Sequence, residues 1–359
     1  MNVVRLAHWL SERGRSVILF VRPSSPLQKE ARKRDLPYRT LKPGGRYGGL
    51  LTTWRMSRYL RDDQIGVLTV HANRDLFFSA AAVSLPGCRT PLVMVQHMQL
   101  GRDKKDIAHS WAYRRLTAWV SPLAILGDQV AERTRLDPKK IRIIPHGIET
   151  DRFVSGLPDR DAARRSFGLP ESAYVIGVVG RLDPQKGQDV LLKAVDRIEV
   201  PERPLHILLV GDRTADEHTE YARSLERLAE TLSGRVGVTI RAFVPDIERV
   251  YACLDVFALT SHSETYGMVT IEAMASGVPV IATESGGTPG IVADGVNGLL
   301  VPPCDSEALA VALRRLIAGP DLASQLAVRA RTDAVGHYSH LRQCDQYERL
   351  FRQLTDDDD

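Results

Sequence analysis

Residues Ser263 to Gly277 read S-E-T-Y-G-M-V-T-I-E-A-M-A-S-G, with carboxylates at Glu264 and Glu272. The apolar run Val256-Phe257-Ala258-Leu259 predicts a strand leading in, and the stretch between the two acids predicts the first turn of a helix. A strand that hands its loop to a helix N-terminus makes an anion site. The first N–H groups of the helix lack internal partners and carry partial positive charge. Two acids beside such a site suit a ligand with phosphate at one end and hydroxyls at the other. Taken alone, Glu264 could be a cap and Glu272 a solvent-facing helix residue. Glu272, however, sits between Ile271 and Ala273-Met274-Ala275. A carboxylate among apolar neighbours needs hydroxyl or cationic partners.

Working outward, Gly180-Arg181-Leu182-Asp183-Pro184-Gln185-Lys186-Gly187 follows a predicted strand, Val175 to Val179, and precedes a helix. Arg181 offers a planar fork of donors and Lys186 a mobile point charge. Two cations on one loop can hold a diphosphate without a metal, although each alone fits an ordinary solvated turn. Ser285-Gly286-Gly287-Thr288-Pro289-Gly290 predicts a second turn that could face phosphate. Asp294-Gly295-Val296-Asn297-Gly298 reads as a structural turn into a strand.

Strand-like and helix-like segments alternate on both sides. Ser16 to Val21, Ile65 to Val70, Leu92 to Gln96 and Ile141 to Ile144 form a first strand series. Val175 to Val179, Ile207 to Val210, Val238 to Ile240, Asp255 to Leu259, Val278 to Ala282 and Leu299 to Val301 form a second. Continuous apolar runs of this kind suit parallel strands covered on both faces. Helices are expected over Gln188 to Arg197, Glu217 to Leu232 and Ser306 to Ile317. The reading is α/β, with two doubly wound Rossmann-like domains. Domain limits fall at residues 1–150 and 151–337, and a final helix at about 338–355 packs back on the first domain. The start is unusual: Asn2 to Arg13 predicts an amphipathic helix before any strand, so the first domain lacks its first strand and the glycine turn that follows it.

The 359 residues suit about two domains. A net charge of +4 is too small to imply nucleic acid. No run approaches the ~18 apolar residues of a membrane helix. Four scattered cysteines form no CxxC pair, which points to reduced thiols in the cytoplasm and to no zinc site. Asp159-Arg160-Asp161 has the form of a metal-binding D-x-D, but after Pro158 it reads as solvated linker charge. The tail Asp356 to Asp359 reads as a solvated acidic end. A nicotinamide dehydrogenase would need a G-x-G-x-x-G after the first strand of a domain, and Gly177-Val178-Val179-Gly180 is not one.

With Ile144-Pro145-His146-Gly147-Ile148-Glu149, Val210-Gly211-Asp212, Phe243-Val244-Pro245-Asp246 and D-G-x-N-G-L-L-V-P-P added, the chain resembles the retaining glycosyltransferases of family 4. The resemblance implies the GT-B fold, two Rossmann-like domains facing across a cleft. It implies a hexosyltransferase-like enzyme that moves a sugar from a nucleoside diphosphate sugar to a hydroxyl. A role in cell-envelope glycan, glycolipid or polysaccharide synthesis goes with it. By resemblance Arg181 and Lys186 hold the diphosphate and support catalysis, Glu272 binds ribose, and Glu264 lies by the reacting sugar. The amides of Gly267, Met268 and Val269 meet phosphate or sugar, and Val244 contacts the base. His97 reaches the donor sugar from the N-terminal domain, while His146 has no role beyond its loop. No cofactor and no metal are expected. The donor is a co-substrate, the acceptor is an unassigned sugar or glycolipid hydroxyl, and nucleic acid is excluded. Peripheral contact with the inner membrane face through Arg102 to Lys105 and Arg114-Arg115 stays open, against an ordinary solvated face. Gly290 departs from the glutamate usual after G-G-x-P. Because the first strand and its glycine loop are lacking, a donor-binding pseudoenzyme, an impaired transferase and a nucleotide-sugar epimerase remain alternatives.

Overall fold

The computed structural model describes residues 2–42, 49–199, 203–213 and 219–356. Glu217 and the tail residues Asp357 to Asp359 lie outside them. Two compact units emerge: residues 1–147 with 340–359, and residues 148–339.

The first unit runs α1 (Asn2–Glu12), β1 (Leu19–Val21), α2 (Pro26–Lys33), β2 (Tyr38–Thr40), α3 (Leu50–Asp62), β3 (Leu68–Val70), α4 (Leu76–Val83), β4 (Leu92–Val95), α5 (Ile107–Arg114), β5 (Ala118–Ser121), α6 (Ala124–Arg133) and β6 (Ile141–Ile143). Strands β3-β4-β5-β6 form one parallel sheet, and β1-β2 form a separate parallel pair. β2 is absent from the sequence reading, because three half-exposed residues carry too little apolar pattern.

The second unit runs α7 (Thr150–Val154), α8 (Arg160–Phe167), β7 (Tyr174–Val179), α9 (Gln188–Asp196), β8 (Leu205–Val210), α10 (Thr219–Leu232), β9 (Val236–Arg241), α11 (Glu248–Cys253), β10 (Val256–Leu259), α12 (Met268–Ala275), β11 (Val280–Thr283), β12 (Leu299–Val301), α13 (Ser306–Ala318) and α14 (Pro320–His337). The last helix, α15 (His340–Asp356), belongs to the first unit, where Cys344, Tyr347 and Leu350 pack with Leu6, Trp9 and Leu10 of α1.

The second sheet is fully parallel in the order β12-β11-β10-β7-β8-β9. Its inner strands β7, β8, β10 and β11 are buried on both faces, which is why their sequences are mostly continuous apolar runs, whereas edge strand β9 is largely half-buried. Succession runs outward one way from β7 and the other way from β10. The switch point therefore lies between these two neighbours. In doubly wound sheets the crevice beyond the strand ends at that point is where ligands bind. The loops leaving β7 and β10 are the two stretches that the sequence singles out.

The D-x-D segment is corrected by the structure. Asp159 is the N-cap of α8 and accepts from the Ala162 N–H at 2.9 Å. Arg160 pairs with Asp255 at 2.5 Å. The expected loop over His146 to Arg152 likewise gives way to α7 from Thr150. Asp255, just before β10, also receives Arg164 at 2.8 Å, Arg203 at 3.1 Å and the Val175 N–H at 2.7 Å. Arg164 is only 1% exposed. Removing one partner of a buried ion pair strands the other charge. Asp255→Ala is expected to cost the second unit about 3–5 kcal/mol in urea unfolding; a loss under 1 kcal/mol would contradict this.

Candidate functional site

The loop after β7 closes in a 3-10 turn, Pro184–Lys186, with Asp183 accepting from the Gln185 N–H. Gly187 then takes φ +61° and starts α9. The turn is fastened to the loop after β10. The Thr260 hydroxyl donates to the Lys186 carbonyl at 2.8 Å, and the His262 N–H donates to the Gln185 carbonyl at 2.9 Å. At Gly187 a Cβ would stand 2.2 Å from the Thr260 carbonyl oxygen, so only glycine permits both the left-handed backbone and this approach.

This clamp brings Lys186 to Glu264. Its ammonium donates to one carboxylate oxygen at 2.6 Å, and the other oxygen accepts from the Thr265 N–H at 3.2 Å. The Glu264 carbonyl accepts from Gly287 N–H at 2.7 Å, which draws the G-G-x-P turn to the same place. Arg181 is 62% exposed on the same loop as Lys186, with Asp183 at 3.5 Å.

Gly267 caps α12 at φ +75° without a side-chain cap. The first bond inside the helix comes from the Thr270 N–H to the Gly267 carbonyl. The N–H groups of Gly267, Met268 and Val269 precede it and are the donors that an anion would meet. One turn on, Glu272 accepts from the Tyr251 hydroxyl at 2.8 Å, with the Val269 carbonyl 3.1 Å from that hydroxyl. The hydroxyl partner that Glu272 required is thus a buried tyrosine on α11. Burial, with the Glu272 carboxylate added, pushes the Tyr251 phenol well above its ordinary value, so it remains a donor. Val244 is half-buried in the loop after β9, where the Phe243 N–H donates to Asp212 at 3.0 Å.

Sequence reasoning missed Tyr251, and it quoted the runs holding three further residues without singling out their hydroxyls. Thr270, Ser285 and Thr288 have buried hydroxyl oxygens without a hydrogen-bond partner among the described residues. Asn297 is structural as expected: its side chain accepts from Ala293 N–H at 2.7 Å and donates to Asp333 at 2.9 Å.

His97 stands in the first unit, in the turn after β4. Gln96 fixes that turn by accepting from Trp119 and Ser121 and donating to the Met98 carbonyl. His97 is one of three histidines together. Its Nε2 lies 2.9 Å from His71 Nδ1, and its ring stacks on His146 at 5.1 Å between centroids. His146 lies in its loop as expected and adds a stacking contact with His97 that the sequence did not show. His71 was overlooked, although it follows β3 as His97 follows β4.

Burial holds His97 at about 4 and His146 at about 3, and it holds His71 well below its usual value. All three rings are neutral at neutral pH. Each folded pKa is depressed, so the neutral form stabilises the fold above pH 6.5, and that contribution is lost as pH falls from there toward 4. His97 alone accounts for at most about 3 kcal/mol. Acidification from pH 7 to 4 is expected to lower the unfolding midpoint of the first unit. A His97→Gln variant should show a shallower acid slope, and an equal slope would contradict this.

In the basic run Arg102, Lys105, Arg114 and Arg115 are exposed. Lys104 is half-buried, its N–H donates to the Arg133 carbonyl, and Arg115 lies over the Trp111 ring. No described helix is long and apolar enough to cross a membrane. All four cysteines are free, and no described cluster of three or more His, Cys, Asp or Glu is placed to hold a metal ion.

Residues 2–152 match the sequence profile for Glycosyltransferase Family 4, and residues 159–333 match that for Glycosyl transferases group 1. The chain belongs to glycosyltransferase family 4. Among curated family relatives, D-inositol 3-phosphate glycosyltransferase of Actinosynnema mirum is 38% identical over 224 residues, covering 58% of this chain and 50% of that protein. The Saccharomonospora viridis protein of the same description is 37% identical over 215 residues, with coverage of 58% and 49%. The chain spans about half the length of these relatives. Among solved structures, a glycosyltransferase from Rickettsia africae aligns at TM-score 0.86 and 18% identity, over 98% of this chain and 94% of that one. HepE of Anabaena in complex with UDP aligns at 0.85 and 21%, over 98% and 95%. At such identities the likeness speaks for the fold, two Rossmann-like α/β units of the GT-B class.

Proposed function

We propose that this family 4 chain transfers a sugar from a nucleoside diphosphate sugar to a hydroxyl acceptor with retention of anomeric configuration. The observation that carries the reading is the Lys186–Glu264 pair, clamped beside the uncapped N-terminus of α12 at the switch point of the sheet. Lys186, Arg181 and the N–H groups of Gly267, Met268 and Val269 hold the pyrophosphate. They stabilise the charge that grows on it as the bond from anomeric carbon to phosphate oxygen breaks. The acceptor oxygen attacks the anomeric carbon from the face that the phosphate leaves, and its proton passes to the departing phosphate oxygen. Glu264 lies beside the sugar. Neutral His97 offers the donor sugar a hydrogen bond. Glu272 takes the ribose hydroxyls, and Val244 meets the base. No metal or other cofactor enters these steps. The acceptor belongs to a cell-envelope glycan or glycolipid, and the chain acts in the cytoplasm.

A thermal-shift and turnover screen against UDP-, GDP- and ADP-sugars tests the reading. Stabilisation by one base series, with nucleoside diphosphate released on addition of acceptor, is the expected result. In that series Glu272→Gln is expected to weaken the donor about 10-fold, by ~1.5 kcal/mol for a charge-assisted hydrogen bond, and to spare the isolated pyrophosphate. Equal loss for both would contradict the ribose assignment. A second reading, donor binding with impaired transfer, is favoured by one observation: β1 and β3 belong to separate sheets. Donor binding without acceptor product would support it.

A further inference from the structure

Under the proposed function Glu272 takes the ribose, and a carboxylate that recognises hydroxyls must be held still. Glutamate turns about three side-chain bonds, and freezing it on binding costs entropy unless the fold has already done so. Glu272 is half-buried, between the fully buried Ile271 and Ala273. Its Oε2 accepts from the Tyr251 hydroxyl at 2.8 Å, and the same hydroxyl lies 3.1 Å from the Val269 carbonyl oxygen. Val269 stands three residues before Glu272, so one hydroxyl meets both ends of the first turn of α12.

The tyrosine is itself wedged in place. It is 1% exposed, and its ring meets Phe153 of α7 and Phe257 of β10 edge-on, each with centroids 5.9 Å apart. A phenol has a single proton, and two acceptors are within its reach. The carboxylate is the nearer one and is charged, so it receives the proton in a charge-assisted bond. Burial keeps the phenol protonated and able to donate. Long helical side chains lie over the turn N-terminal to their own Cα. The bond from Tyr251 fixes Glu272 over that turn, whose first N–H groups are the proposed pyrophosphate donors. The loop that carries Val244 runs into α11, the helix of Tyr251. Tyr251 therefore joins the proposed base loop, ribose carboxylate and phosphate turn.

We infer that Tyr251 is a positioning residue: its hydroxyl holds the Glu272 carboxylate where it recognises ribose hydroxyls, and so sets the preference for a ribonucleoside diphosphate over one that lacks them. This rests on the ribose assignment of Glu272. Tyr251 meets no part of the substrate and acts through the acid. Tyr251→Phe keeps the ring and its packing on Phe153 and Phe257. It releases the carboxylate to other rotamers, from which binding must gather it again.

The test measures by calorimetry the Kd of the nucleoside diphosphate that stabilises the chain best, of its dideoxy form, which lacks the ribose hydroxyls, and of pyrophosphate. The unaltered chain should prefer the ribose form to the dideoxy form by about 10-fold or more. Tyr251→Phe is expected to weaken the ribose form about 10-fold, the size of one charge-assisted hydrogen bond, and to leave the dideoxy form and pyrophosphate unchanged. A loss of packing alone would not spare those two. In a Glu272→Gln background Tyr251→Phe should add nothing, since both act through one contact. Glu272→Asp leaves the tyrosine in place and withdraws the acid from it, and should lower the ribose preference as far as Tyr251→Phe does. A ribose preference that survives Tyr251→Phe or Glu272→Asp, while Glu272→Gln abolishes it, would overturn the inference and leave the ribose assignment standing. Equal losses for all three ligands would also overturn it, as would an undiminished effect of Tyr251→Phe in the Glu272→Gln background. An unaltered chain with no ribose preference would overturn the ribose assignment, and this inference with it.

Discussion

Lys186→Ala is expected to lower donor turnover about 10²- to 10³-fold, equivalent to ~2.7–4 kcal/mol of lost electrostatic stabilisation, while the unit stays folded. The side chain makes one strong contact, 2.6 Å to Glu264, but its backbone carbonyl does the structural work by accepting from Thr260. The substitution therefore leaves the clamp in place and removes only the cation. It also takes the lysine away from the Glu264 carboxylate, so the field at the proposed phosphate site becomes more negative. Affinity for UDP or GDP should fall with turnover, since in the proposed site the same cation meets ground-state pyrophosphate. Lys193→Ala is the matched control: it removes an exposed i,i+4 partner of Asp189 and should shift stability by less than ~0.5 kcal/mol, with no effect on nucleotide. Turnover within twofold for Lys186→Ala would remove the cation from the mechanism.

Gly187→Ala is expected to damage the same site through the backbone. A left-handed φ costs an alanine about 1 kcal/mol. The new Cβ would also stand 2.2 Å from the Thr260 carbonyl, and relief requires the turn to move away from β10. That movement breaks the bonds from Thr260 to Lys186 and from His262 to Gln185. The combined cost is about 2–4 kcal/mol of unit stability, and nucleotide binding should fall at least 10-fold. Chemical denaturation and calorimetry measure the two effects. An unchanged unfolding midpoint with normal nucleotide affinity would contradict the clamp.

The two substitutions separate charge from geometry. Lys186→Ala removes the proposed phosphate-facing group and spares the scaffold. Gly187→Ala keeps the lysine and displaces it. A site held together mainly by the Lys186–Glu264 ion pair would show the reverse order of stability losses. The backbone contacts predict that the glycine variant is the less stable of the two.

How much the sequence revealed depended on the range of the interaction. The inner strands of the second sheet are legible because burial on both faces leaves continuous apolar runs, as in Val175 to Val179. The partner of Glu272 was legible in kind, since a carboxylate between Ile271 and Ala273 demands a donor, but its identity was not. Tyr251 lies 21 positions away on another helix, and its sequence neighbours give no sign of its direction. The histidine stack was hidden for the same reason: His71, His97 and His146 meet only because parallel pairing sets the ends of β3, β4 and β6 in one row. Asp159 was read as linker charge because a capping aspartate and a linker one look alike until the helix that follows is counted. Its Ala163 and Phe167 are the buried positions that mark this helix.

The most direct measurement is a crystal structure of the chain soaked with the nucleoside diphosphate that stabilises it best. The pyrophosphate should lie within hydrogen-bond distance of Lys186 Nζ and of the N–H groups of Gly267 to Val269, with a ribose hydroxyl on the Glu272 carboxylate. Nucleotide density away from the switch point of β7 and β10, or a ribose that leaves Glu272 bonded to Tyr251 alone, would contradict the assignment.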